Sequence, residues 1–187
     1  DLNSARRYLA GCGIVTSALA TGGNIPPGAQ SALNEQFDGT SWTEVADLNT
    51  ARQHLRSAGQ TNTSALAFAG ELPSGVQSKT ESWNGTAFTE VADLTTARAY
   101  VAQAGTGNTS ALCSGGYSST NTTATEEWNS SLPVGAWATG GTLNTATAAS
   151  MGTPAGTQSA AQEAGGATPS ITAKTEQYNG TSWTEVA

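Results

Sequence analysis

Three arginines and four glutamates return at fixed places along this chain. Arg6, Arg52 and Arg98 each close a Ser/Thr-Ala-Arg triplet, and Glu35, Glu81, Glu126 and Glu176 each stand two residues before an aromatic ring. A guanidinium and a carboxylate that recur together suit a bidentate ion pair in the interior. The chemical alternative is a set of convergent arginines that grips a substrate carboxylate. Thr147 occupies the fourth arginine place, so Glu176 needs another partner or water. His54 is the single histidine, and its slot holds Tyr8 and Tyr100 in other copies. That slot reads as packing plus one hydrogen bond, because Ser-His-Asp catalysis needs an oriented histidine facing a serine that nothing here selects. One histidine and two distant cysteines, Cys12 and Cys113, supply no zinc ligand set. The cysteines read as small buried hydrophobes rather than a disulfide. Asp1, Asp47 and Asp93 are expected to be turn residues that cap their own backbone. A ring of such carboxylates could alternatively attract Ca²⁺. No cofactor is expected.

These residues recur because the whole chain repeats. VADLNTAR at 45–52 returns as VADLTTAR at 91–98 and, weakened, as TGGTLNTAT at 139–147. Units 1–46, 47–92, 93–141 and 142–187 result. Such self-similarity marks a repeat architecture, and residues 1–187 are expected to form one repeat domain, closed as a four-unit ring or part of a longer propeller.

Within each unit the patterning is that of strands. Asp38-Gly39, Asn84-Gly85 and Asn179-Gly180 sit between alternating runs, the strongest short hairpin signal. No stretch carries the apolar spacing of an amphipathic helix. Four short strands, A to D, are expected per unit in an antiparallel meander. Such a sheet cannot bury both faces alone, whereas copies packed face to face around an axis can. The expected fold is therefore all-β, a β-propeller of four-stranded antiparallel blades.

The residues resemble the kelch family. A small-residue strand ends in Gly22-Gly23, Ala69-Gly70, Gly115-Gly116 or Gly165. The aromatic before the C–D turn is Phe37, Trp83, Trp128 or Tyr178. The strand-D aromatic is Trp42, Phe88, Trp137 or Trp183, and the arginine follows a loop later. The resemblance implies a propeller and leaves activity open, since that fold hosts binding modules and oxidases alike. The oxidase branch needs paired copper-ligating histidines, and this chain has one. The phrase GTSWTEVADLNTAR and its Ser/Thr/Ala-rich filler also resemble kelch-like repeats of marine phage structural proteins.

Composition narrows the partners. Charged residues are 11% and the net charge is −7, with the few basic residues scattered. Nucleic acid needs a clustered basic patch, so none is expected as a partner. No apolar run approaches a membrane span. The strands repeat closely but the B–C loops do not, and recognition concentrates on loops held by a rigid scaffold. Asn24, Ile25, Glu71, Leu72, Tyr117 and Thr168 on those loops are the candidate binding residues. The longer C–D segment of unit 3 adds Leu132 and Val134, a possible inter-subunit contact. Six Asn-x-Ser/Thr sequons fall mostly on turns and read as turn chemistry. The expected function is a non-enzymatic interaction or structural module, extracellular or on a virion, which meets a protein partner or cell-surface glycan. The alternatives are a secreted lectin and, more remotely, a sialidase- or oxidase-type propeller enzyme.

Overall fold

A computed structural model describes residues 1–131, 135–152 and 156–186. In unit 1, β1 (Ala10–Ile14) and β2 (Ser17–Thr21) form a hairpin. A small loop hairpin, β3 (Asn24–Ile25) and β4 (Ala29–Gln30), precedes β5 (Asn34–Phe37) and β6 (Trp42–Val45). Unit 2 repeats this with β7 (Arg56–Thr61), β8 (Ser64–Phe68), β9 (Glu71–Leu72), β10 (Gly75–Val76), β11 (Thr80–Trp83) and β12 (Phe88–Glu90). Unit 3 has β13 (Ala102–Gly107), β14 (Ser110–Ser114), β15 (Thr125–Asn129) and β16 (Ala136–Thr139). Unit 4 has β17 (Met151–Gly152), β18 (Ala161–Ala164), β19 (Ala167–Thr168), β20 (Ser170–Ile171), β21 (Thr175–Tyr178) and β22 (Trp183–Val186). Each unit thus builds one four-stranded antiparallel sheet in the order A-B-C-D. The B–C loops of units 1, 2 and 4, read from sequence as loops, carry two-stranded hairpins.

The C–D turns form as their sequence requires. The side chains of Asp38, Asn84 and Asn179 each accept the backbone N–H groups two and three residues on. The double-glycine slot explains why unit 2 tolerates alanine at its first position. Ala69 has φ 60° and Gly22 has φ 65°, which a small side chain can adopt, whereas the second position has φ 104° at Gly23 and 114° at Gly70. A Cβ on Gly23 would also lie 2.7 Å from the Arg7 carbonyl oxygen. Only glycine suits that second position.

Successive sheets pack through apolar cores. Ala10, Cys12 and Leu19 of unit 1 cluster with Leu48, Leu55, Trp83 and Phe88 of unit 2. Ala58, Leu66 and Phe68 cluster with Leu94, Val101, Trp128 and Trp137 of unit 3. Ala104 and Leu112 cluster with Leu143, Ala161, Tyr178 and Trp183 of unit 4. The cysteines are free and buried inside these seams, and burial pushes their thiols up to about 11 for Cys12 and about 12 for Cys113. The first strands of neighbouring units run alongside one another. Residues of all four units line one cavity of about 170 Å³: Leu9 and Gly11, Arg56, Gln103, Met151.

The recurring arginines and glutamates are ion pairs, with a geometry richer than a bidentate fork. Arg6 meets Glu35 at 2.8 Å and Arg98 meets Glu126 at 2.8 Å, each through a single nitrogen and Oε1. Arg52 pairs with Glu81 in the same way. The second carboxylate oxygen accepts from the D–A turn. Asn3 gives Glu35 its backbone N–H at 2.7 Å and its side-chain amide at 2.9 Å, and Asn49 repeats both bonds to Glu81. The Thr95 N–H serves Glu126. Burial raises the Glu35 carboxyl, but the Asn3 donors and the Arg6 charge outweigh it and hold its pKa below the usual carboxylate range.

The expected self-capping by the unit-opening aspartates is corrected at Asp93. Its Oδ1 accepts the Thr80 N–H at 3.0 Å, so it ties strand C rather than its own turn. Asn3, Asn49 and Asn144 tie the other D–A turns to the strand-C glutamates, and their side chains also reach the Trp42, Phe88 and Trp183 carbonyls on strand D.

Removal of Arg52 leaves the buried Glu81 carboxylate with its Asn49 donors but without its cation, so Arg52→Ala should cost about 3–5 kcal/mol. Lys79, whose pair with Glu90 is exposed, should lose less than about 1 kcal/mol on Lys79→Ala. Chemical denaturation of both variants checks the contrast; equal losses would refute the structural role of the buried pair.

Candidate functional site

The three arginines do not form a joint anion clamp. Each is spent inside its own unit on a glutamate and on backbone carbonyls: Gly22 and Leu33 for Arg6, Ala69 for Arg52, Gly115 and Ala124 for Arg98. Unit 4 solves the loss of arginine in a way the sequence reading missed. Glu176 takes the Asn144 N–H and amide at 2.8 Å each and the Thr145 N–H at 3.0 Å. Across the sheet, Glu163 replaces the small residues Ala20, Ala67 and Cys113 of the other units. Its carboxylate accepts hydroxyls from Ser114 at 2.5 Å, Thr147 at 2.5 Å and Ser150 at 2.6 Å. A glutamate has filled the space of the missing guanidinium, and three hydroxyls satisfy it. Its signal in sequence is a paired exchange in one unit, arginine to Thr147 and small residue to Glu163.

The D–A connections and B–C loops share one face. Backbone bridges join Arg7 to Asn24, Gln53 to Glu71, Ala99 to Tyr117 and Ala148 to Ala167. Just beyond each bridge stands a left-handed residue: Tyr8, His54, Tyr100 and Ala149 have φ of 58°, 54°, 57° and 57°. Non-glycine residues adopt this conformation at a cost. Three of the four are held by a predecessor, since His54 N–H donates to the Tyr8 carbonyl, Tyr100 to His54 and Ala149 to Tyr100. The rings follow the backbone. His54 lies between Tyr8 and Tyr100 at centroid distances of 4.3 and 4.2 Å. The slot is indeed packing, but its rings stack on one another across units.

The loop candidates separate into anchors and an open surface. Asn24 is buried, accepts from Arg7 and donates to the Gly28 carbonyl, so it shapes its own loop. Glu71 accepts the Tyr100 hydroxyl at 3.0 Å, and its carbonyl takes the Gln30 amide. Ile25 and Leu72 pair within their loop hairpins. Tyr117 and Thr168 instead line one groove of about 800 Å³ between the loops of units 3 and 4, with Thr120, Asn121, Thr145, Ala146 and Pro169. Its floor is the D–A turn of unit 4, and Asn121 crosses to the Ala167 carbonyl at one wall. Tyr117 is 41% exposed. The lining is apolar with hydroxyls and one amide and no charge. Leu132 and Val134 lie outside the described residues.

Comparison with protein-family models and with curated proteins gives no match for this chain. Among the described residues no cluster of three or more His, Cys, Asp or Glu side chains could hold a metal ion.

His54 gives the face a pH dependence. Burial lowers its pKa below 6.5, opposed by the Glu71 charge and assisted by that of Arg56. A depressed folded-state pKa means that the unfolded chain binds the proton first. Stability is therefore full above pH 6.5 and declines as the pH falls from there through the folded-state value. The melting temperature of the chain should drop across this interval, and His54→Tyr should flatten the profile there while the stack is kept. A profile unaltered by the substitution would remove His54 as its source.

Proposed function

We propose that this chain is a propeller-type interaction and structural module without catalytic activity, working outside the cell or on a virus particle as a structural, decoration or receptor-binding component. The observation that carries the reading is the groove of Tyr117, Asn121 and Thr168. It lies where the repeat breaks down, on loops that a rigid ladder of backbone bonds holds in place. The spent arginines and the stacked His54 favour a non-enzymatic role, because the groups best equipped for chemistry are committed to structure. The virion reading draws on the phage-like wording of the repeats. Their radial arrangement as a propeller draws on the three successive apolar seams and the cavity that all four units line.

A neutral surface glycan suits this groove as ligand. An exposed tyrosine ring offers a stacking face for a sugar, and Asn121 and the threonines offer hydrogen bonds without charge. Immobilised neutral glycans should retain the chain saturably, and Tyr117→Ala should weaken that binding at least about tenfold, or about 1.4 kcal/mol, with no change in melting temperature. Binding that ignores Tyr117→Ala and Thr168→Arg would place recognition elsewhere. If no glycan binds while an isolated virion protein does through the same residues, the protein-partner reading stands and the lectin reading falls.

The radial arrangement has its own test. Leu9 and Met151 line the same cavity from the first and fourth units. Cysteines at these two positions should be bridged within one molecule by a short bis-maleimide; failure to bridge would contradict a common axis.

A further inference from the structure

One half-buried arginine stands outside the recurring pairs. All 14 Asp and Glu side chains lie among the described residues, and none of them meets Arg56. Arg6, Arg52 and Arg98 take Glu35, Glu81 and Glu126, and the two lysines take Glu90 and Glu185. Arg7 also lacks a carboxylate, but it is exposed and lies over the Tyr8 ring. Among the described residues the Arg56 guanidinium has one hydrogen bond, from Nη1 to the Leu55 carbonyl at 3.2 Å. Burial lowers its pKa, and only the Cys113 thiol opposes that shift.

The fold does not ask for this charge. The same place on strand A, fixed by its pairing with strand B, holds Ala10, Ala102 and Met151 in the other units. A second polar residue breaks the repeat one place further on. Gln103 stands where the other units have Gly11, Ser57 and Gly152. Arg56 and Gln103 line the same cavity of about 170 Å³, with Leu9, Ala10 and Met151. Gln103 Oε1 is buried without a donor, so no bond through that oxygen commits the amide. Glu163 lies across from Gly152 on the neighbouring strand, but three hydroxyls take up its carboxylate, one of them from Ser150 in the cavity wall.

A cation drawn out of water is costly unless something supplies a counter-charge. A guanidinium offers paired N–H groups in a fork that matches a carboxylate. We infer that the cavity shared by the four units binds a small aliphatic monocarboxylate, its oxygens on the Arg56 guanidinium and the Gln103 amide and its alkyl end against Leu9, Ala10 and Met151. The volume equals that of about five waters at ~30 Å³ each, which suits an ion of propionate size. This site is separate from the uncharged Tyr117 groove, and the two readings can fail independently.

The test titrates sodium propionate into the full chain at pH 7 and constant ionic strength, with the heat of binding as readout. One ion per chain should bind saturably. Arg56→Met, which gives unit 2 the side chain of unit 4, should weaken binding at least tenfold. Gln103→Ser, which gives unit 3 the side chain of unit 2, should weaken it at least threefold. Sodium chloride at the same concentration should not compete. His54 supplies a second readout on the unaltered chain, because the Arg56 charge helps to lower its pKa. Propionate should move the titration of the His54 imidazole NMR signal to higher pH. Absence of saturable binding, binding that survives either substitution, an unmoved His54 titration, or equal competition by chloride would each overturn the inference.

Discussion

The strand-C glutamate is the point on which each unit turns. One oxygen takes the arginine that enters from the D–A segment, and the other takes the turn asparagine or its backbone neighbour. A single carboxylate therefore fixes strand C, the turn and the approach to strand A at once. A buried charge is tolerable only when paired and hydrogen-bonded, so no member of the set can change alone. Unit 4 illustrates the rule. With Thr147 in place of arginine, Glu176 moves wholly onto turn N–H groups, and Glu163 enters the vacated space with three hydroxyl donors. The site stays polar and satisfied although its cation is gone.

This anchoring sets the positions of the loops. The segment that leaves the arginine bridges to the B–C loop and then passes through the left-handed residue that bonds to its neighbour in the next unit. At His54 and Tyr100 the local strain is thus held by contacts on both sides, as strained backbone requires. The result is a stiff face on which loops of differing sequence stand. Between units 3 and 4 those loops part to leave a sizeable groove of uncharged character. The recurring arginines and glutamates are committed to the frame, and the groove is walled by Tyr117, Asn121 and Thr168 from loops of differing sequence.

How far the sequence could be read follows from periodicity. The arginine–glutamate pairs, the strand-ending glycines and the Asx turns were legible because a feature repeated in at least three of four units cannot be local accident. The pairing detail was not, since one carboxylate shared between Arg6 and Asn3 looks in sequence like two unrelated polar residues. The left-handed slot was also hidden. Tyr8, His54, Tyr100 and Ala149 span three side-chain types, and none is the glycine that would announce a positive φ. The groove was half legible. Tyr117 and Thr168 were marked by loop variability, but nothing along the chain says that they face each other while Asn24 and Glu71 turn inward.

Native-state hydrogen exchange of the turn amides tests the central claim most directly. The backbone N–H groups of Asn3, Asn49, Thr95 and Asn144 sit in short connections, where exchange is ordinarily fast. If the buried glutamates hold each unit together, these amides exchange only through large-scale opening, at rates matching the strand C amides of the same unit. Exchange at the rate of exposed turns, independent of global stability, would show that the glutamates decorate the fold rather than anchor it.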